Sequence, residues 1–366
     1  MDANFGLQDI KNSLRNFLPK RKVRLGFYPY TYARVAVMKS NLIKKSQWHT
    51  YMKMSEHELM RVLQDGEYRA EMTGLHPDKH SLAQIESALH RGMMRTFVKL
   101  KRISDPNVQR VLSMYFLRHD IENIKLIVRA KAVGESLDEI MPLLMPSINY
   151  SESFFVSLAD KKTVDEVVSA LPFDINFSGH QTSAWKMTPR SAPITDVLVI
   201  ENKLDNYYAD QLFYFSERLA GQGKVFRAFI ETELDNMNIK ILLRLIRAGM
   251  KPDSIVKFLI HPTKKLVSIA DSGTALEAIK RLSAMGMLKI DSSLSERDSY
   301  AAVEMDIDTQ LIKREYALMN QYPLTVNFIL GFMLAKEIEV RNLKILLKGK
   351  HFNLDNATIE RLVVTA

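Results

Sequence analysis

An all-α chain built from three similar helical domains follows from three observations. Apolar residues recur at helical spacing through most of the 366 residues, one helix sequence is written three times, and a second motif repeats beside it. The helix sequence reads DIENIKLIVRAKAVG at 120–134, DNMNIKILLRLIRAG at 235–249 and EVRNLKILLKG at 339–349. Convincing runs of strand alternation are missing. Asp65-Gly66 is the one hairpin-type dipeptide, and it follows a helical pattern, so it reads as a helix stop.

The N-terminus, MDANFGLQDIKNSLRNFL, is an amphipathic helix candidate without the continuous apolar region of a secretory signal. From Leu82, the positions Ile85, Leu89, Phe97, Leu100 and Ile103 mark one face of a helix. From Thr195, the set Ile200, Leu204, Tyr208, Leu212, Phe215 and Leu219 predicts a long helix packed along one seam. Residues 172–194 and 289–300 are rich in Pro, Ser and Thr or in polar residues, and read as connectors.

In the repeated helix, Asn123, Asn238 and Asn342 anchor the three copies. Two residues on stands Lys125, Lys240 or Lys344, and six residues on stands Arg129, Arg244 or Lys348. Gly134, Gly249 and Asn353, eleven residues on, suit a left-handed helix end, and Ile140, Ile255 and Ile359 follow at seventeen. The second motif is SLADKKTVDEVVSAL at 157–171 and SIADSGTALEAIKRL at 268–282, with a weaker copy, SEHELMRVL, at 55–63. Ser55, Thr163 and Thr274 read as N-caps, with Glu58, Glu166 and Glu277 as capping-box partners. From cap to Asn the separations are 68, 75 and 68 residues. The repeats divide the chain into an N-terminal extension at 1–27 and domains at 28–148, 149–262 and 263–366, units that can close into a pseudo-threefold ring.

On a wheel of about 100° per residue, Leu126, Ile127 and Ala130 share the side of Asn123, while Glu122, Lys125 and Arg129 face away. A buried amide needs partners, and free backbone groups where a neighbouring helix ends are the expected ones. Asn123, Asn238 and Asn342 are therefore structural residues on this reading; the alternative is a catalytic or ligand role. The pairs Lys125/Arg129, Lys240/Arg244 and Lys344/Lys348 form either a solvated face or a positive collar for an acidic partner.

Composition narrows the function. With no cysteine, a disulfide framework, a thiolate zinc site and a Cys nucleophile are excluded. A run of about 18 uncharged apolar residues is also missing. The net charge of +9 points to an acidic partner. The positive charge reads as spread along the chain, densest at Lys20-Arg21-Lys22 with Arg24, and no Arg-rich tract with interleaved aromatics suggests a single-strand binder. His76-Pro77-Asp78-Lys79-His80 has metal-like spacing but no further ligand set. P-loop, dinucleotide, HExxH and GxSxG motifs are absent, so neither an active site nor a cofactor is expected.

These residues also carry a resemblance. FLRHDIENIKLIVRAKAVG resembles the signature of the C subunit of archaeal A-type ATP synthases, which is similar to the d subunit of eukaryotic vacuolar ATPases. YPYTYARVAVMKSNLIKK, ELDNMNIKILLRLIRAG and AKEIEVRNLKILLKGKHFNLDNATIERLVV agree with it in order, over residues 28–366. The resemblance implies a funnel of three three-fold-related helical domains. It implies a non-catalytic central-stalk subunit, a monomer in isolation, peripheral on the cytoplasmic face of the membrane. Its partners would be the proteolipid rotor ring and the central shaft, with proton or sodium transport linked to ATP. The competing reading is a helical-repeat scaffold that binds an acidic protein or nucleic acid.

Overall fold

The computed structural model describes residues 22–76, 80–173, 197–221, 223–288 and 324–363, with 309, 310, 312, 313 and 317 besides. The N-terminal helix candidate and the 289–300 connector lie outside the described residues, as does nearly all of the 172–194 connector. The described residues are mainly helical, with two three-residue strands. They fall into two compact units, one formed by residues 23–170 with 324–363, the other by residue 22 with the described residues of 171–317.

The first unit opens with β1 (Val23–Leu25) and the helices α1 (Pro29–Ser40), α2 (Lys45–Lys53), α3 (Glu56–Asp65) and α4 (Arg69–Met72). Two long helices follow, α5 (Leu82–Ile103) and α6 (Pro106–Val133), the second being the first Asn helix. Short pieces complete this stretch: α7 (Leu137–Ile140), a single 3-10 turn at Met141–Leu143, α8 (Glu152–Ala159) and α9 (Val164–Ser169). Ile85, Leu89, Phe97 and Leu100 of α5 are buried, as their spacing predicts.

The second unit holds α10 (Val197–Glu217), β2 (Leu219–Gly221) and α11 (Gly223–Arg247), a helical hairpin whose second arm is the second Asn helix. The expected helix from Thr195 thus stops short of Leu219, which opens the strand instead. Then come α12 (Pro252–Phe258), α13 (Lys264–Ile269) and α14 (Ala275–Ala284). Leu242, Ile246, Ile255, Leu266, Ala278 and Leu282 are among the residues of one apolar core that joins α11 to the three helices after it.

The third Asn helix, α15 (Val326–His351), and α16 (Asn356–Leu362) belong to the first unit. There α15 packs on α5, α1 and α3. A pattern emerges from these packings. The motif helix α9 packs on α6, and α14 packs on α11, each following its Asn helix in sequence. For α15 the packed motif helix is α3, from the beginning of the chain. The cap-to-Asn separations read in sequence are therefore not the packing pairs; the third Asn helix is completed by the first motif.

Local signals explain where the Asn helices end. Gly134, Gly249 and Asn353 have φ of 83°, 70° and 54°. This lets the next N–H turn back: Glu135 donates to Ala130 O, Met250 to Leu245 O and Leu354 to Gly349 O, at 2.9, 3.1 and 2.8 Å. Ile140, Ile255 and Ile359 are all buried. Gly349 is needed for contact as well, because a Cβ there would stand 2.6 Å from Ile359 Cδ1.

The N-caps hold, with one correction. Ser55, Thr163 and Thr274 each accept from the N–H three residues on. Glu58 reaches back to Ser55 N at 2.8 Å and closes the box. Glu166 and Glu277 instead accept from Lys162 N and Gly273 N, one residue earlier, both at 3.0 Å. The backbone explains this: φ is −70° at Ser55 but −128° and −138° at the threonines, which turns their own N–H groups elsewhere.

Candidate interaction site

The three Asn side chains are buried. Asn123 Nδ2 donates to Met145 O at 2.7 Å, and its Oδ1 accepts from Met145 N at 2.8 Å. Asn238 makes the same two bonds to Ile260, both at 2.7 Å. Met145 and Ile260 each lie 22 residues after the Asn, just beyond the end of a short helix or turn. An amide has one donor side and one acceptor side, so it can bracket one residue's C=O and N–H together; a carboxylate or an ammonium cannot. Asn342 is equally buried, and the residue 22 positions on, Val364, lies outside the described residues.

An acid stands three residues before each Asn: Asp120, Asp235 and Glu339. Asp120 accepts from Ser147 Oγ and, at 2.8 Å, from Asn149 Nδ2. Burial pushes its carboxyl up to about 7 against the opposing pull of those bonds. Glu339 accepts from Tyr68 Oη at 2.7 Å, Lys336 Nζ at 2.7 Å and Ile43 N at 2.7 Å. It therefore ties α15 to α4 and to the turn before α2. Lys336 also reaches Glu67 at 3.2 Å and lies over the Tyr68 ring. In the second copy α10 brings a further acid: Asp210 Oδ1 meets His261 Nε2 at 2.5 Å. His261, directly after the bracketed Ile260, stacks on Phe213.

A second polar knot joins α15 to α6. Glu337 meets the Arg118 guanidinium, accepts from Tyr115 Oη at 3.0 Å and lies 3.3 Å from His119 Nε2. Burial alone would raise the Glu337 carboxyl, but Arg118 and His119 outweigh it and hold it at about 2. On α5, burial together with the charges of Lys344 and His119 lowers His90 to about 3.

The six basic positions do not share one environment. Arg129, Lys240 and Arg244 are exposed. Lys348 is 52% exposed and pairs with Glu86 at 2.8 Å. Lys344 is half-buried, and burial lowers its ammonium. Lys125 departs from the wheel reading: it is only 6% exposed and bonds Glu122, one turn back, at 2.9 Å. Its long stem lies along packed residues, so the wheel gives the direction of its Cα–Cβ bond but not the depth of the neighbours around it. His80 Nδ1 accepts from His76 N at 3.1 Å, while residues 77–79 lie outside the described residues. Among the described residues, no group of three His, Asp or Glu is placed to hold a metal.

Sequence reasoning found the Asn and missed the acid three residues ahead of it, although the acid recurs in all three copies. It also missed Glu337, Arg118 and His119. Arg118 and Glu337 each stand five residues before their Asn, where the second copy has Glu233, so the repeat aligns these positions without showing that they meet.

What the site can do follows from its chemistry. It holds buried amides and ion pairs that fix helix ends and tie long helices together. The family model described as ATP synthase (C/AC39) subunit matches residues 31–362. The chain is 30% identical over 348 residues to the C subunit of the A-type ATP synthase of Methanococcoides burtonii, covering 92% of this chain and 94% of that one. It is 27% identical over 342 residues to the protein of the same name from Haloferax volcanii, covering 92% and 97%. With that of Methanocaldococcus jannaschii it shares 26% identity over 362 residues, covering 95% and 89%.

Proposed function

We infer, from the premise that this chain belongs to the ATP synthase (C/AC39) subunit family, that it is a non-catalytic central-stalk subunit of a rotary A/V-type ATPase. On this reading it carries torque between the membrane proteolipid ring and the central shaft, peripheral to the membrane on its cytoplasmic side. The three repeats would form helical domains at 28–148, 149–262 and 263–366 with a pseudo-threefold, funnel-like arrangement. The observation that carries the reading is the match across nearly the whole chain to relatives named as one component of that machine.

Physical arguments support it. A torque coupler must be stiff, and close-packed helices whose ends are tied by buried amides resist deformation. No helix among the described residues is long and apolar enough to cross a membrane. The test is an affinity pull-down of the tagged chain from detergent-solubilised membranes. Ring and shaft proteins should be recovered with it. Recovery with nucleic acid and without any ATPase component would overturn the reading in favour of a scaffold.

A further inference from the structure

The positive charge is not spread along the chain, contrary to the expectation from composition. Residues 10–55 hold eleven Lys and Arg and no Asp or Glu, more than the net charge of the whole protein. The described part of this stretch, 22–55, holds seven of them. Lys22, Arg24, Arg34, Lys44, Lys45 and Lys53 are exposed, and among the described residues none of them is paired with a carboxylate. Carboxylates of the described residues pair instead with Arg95, Arg118, Lys125, His261, Lys336 and Lys348, among others.

Large apolar side chains are exposed in the same stretch of the chain. Phe27, Tyr30 and Val37 are 65%, 65% and 66% exposed. On α1, Tyr30, Ala33, Arg34 and Val37 recur at three- and four-residue steps, so they form one outward stripe. Thr31 and Val35 on the other side of the helix are buried. The surface therefore combines aromatic rings, an aliphatic side chain and exposed cations, with no acid in its own sequence.

We infer that the face formed by Arg24, Phe27 and the Tyr30–Arg34–Val37 stripe of α1 is a docking surface for an anionic lipid headgroup layer. The chemistry fits an interface with lipid better than one with a folded acidic protein. Three apolar side chains fall well short of the about 1,200–2,000 Å² buried in a specific protein interface. A headgroup layer asks for no shape complementarity. It accepts aromatic rings at its boundary and attracts cations whose long stems can lie along apolar surface. Each Lys or Arg near such a surface strengthens binding by about fivefold. This contact is additional to rotor coupling and does not follow from it.

Vesicle co-sedimentation of the purified full chain tests it, with phosphatidylglycerol mixed into phosphatidylcholine against phosphatidylcholine alone. No other protein is present, so failure here leaves the rotor reading standing, and failure of the pull-down leaves this one standing. The chain should sediment with the anionic vesicles, less so at high salt, and not with the neutral ones. Replacing Arg24 and Arg34 together by Gln should weaken binding by about thirty-fold, two charges' worth. Phe27→Ser with Tyr30→Ser should weaken it as well, most visibly at high salt where the apolar part remains. Both double variants alter exposed side chains, and unchanged melting shows that the fold is kept. Lys240→Gln with Arg244→Gln is the control and should bind normally. Equal binding to neutral vesicles, binding that survives both patch variants, an equal loss in the control, or no vesicle binding at all would each overturn the proposal.

Discussion

The first and second Asn helices solve one problem identically and its neighbour differently. Asn123 on Met145 and Asn238 on Ile260 have the same 22-residue spacing, the same pair of bonds and lengths within 0.1 Å of each other. Next to them the copies diverge. In the first, Asp120 lies on the Asn helix itself and is met by Ser147 and Asn149. In the second, Asp210 comes from α10 and is met by His261. The amide bracket needs only backbone from its partner, so it survives a change of loop sequence. The acid needs particular side chains in the loop, and those differ.

The largest effect comes from breaking the shared part. Asn238→Ala leaves both the N–H and the C=O of a fully buried residue without a partner, and the cost should be about 3 kcal/mol. Asn123→Ala should cost less, about 1–2 kcal/mol, because Met145 is only half-buried and water can reach its groups. Chemical denaturation of the two variants measures the difference. Equal losses, or no loss at either site, would mean that the two brackets do not carry what their geometry implies.

The divergent part should show itself in pH. Asp120 is raised from its ordinary 3.8 to about 7, so the folded protein keeps a proton that the unfolded chain releases. Its contribution is full below about pH 4 and is lost as pH rises to about 7. His90 works in the opposite sense. It is lowered from 6.5 to about 3, so the unfolded chain takes up a proton that the folded one refuses. Its contribution is lost as pH falls below 6.5. Between about pH 4 and 6.5 the two slopes oppose one another. Asp120→Asn should leave stability rising with pH across that window, and His90→Gln should leave it falling. Melting temperatures taken across the window decide this, and parallel curves for the two variants would contradict it.

How much of this was legible depends on what the repeat preserves. The Asn, the helix-ending Gly134, Gly249 and Asn353, and the buried Ile at seventeen recur in register, and each acts through backbone or through simple burial. Helix periodicity located α5, and the caps located α3, α9 and α14. The partner of α15 was not legible, because the N-terminal motif packs on the C-terminal Asn helix and sequence order hides that closure. Nor was the burial of Lys125, since a wheel knows direction but not the height of the surrounding surface. The Glu337–Arg118 pair joins residues far apart in the chain. Only packing reveals it.

The caps sharpen the comparison at a smaller scale. Thr163→Ala and Thr274→Ala remove one side-chain acceptor each and should cost about 1 kcal/mol. Ser55→Ala opens a closed box: Glu58 bonds both the Ser55 N–H and its hydroxyl. Its loss should be the largest of the three. α3 also supports α15, so the damage should extend to the third Asn helix. Hydrogen exchange along α15 in Ser55→Ala, compared with exchange along α6 in Thr163→Ala, reads this directly. Faster exchange confined to α3 would show that the two helices are not coupled.

The smallest effects on stability belong to the basic positions, and there the two copies differ again. Lys240 and Arg244 are exposed, and replacing both by Ala should change stability by no more than about 0.5 kcal/mol. Lys125 is buried against Glu122, so Lys125→Ala removes packing as well as charge and should cost more than the exposed pair together. That difference bears on the collar. A side chain enclosed within its own unit presents little charge to a partner, whereas Lys240 and Arg244 are exposed. If an acidic surface of the shaft or ring docks on these positions, Lys240→Ala with Arg244→Ala should slow assembly, more at low salt than at high, because exposed charges act chiefly on encounter. Lys125→Ala should leave the salt dependence of assembly unchanged while lowering the melting temperature. Reconstitution with shaft and ring proteins across a salt series separates the two. Should the exposed pair be neutralised with no change in assembly rate at low salt, those charges are a solvated surface and the collar does not exist.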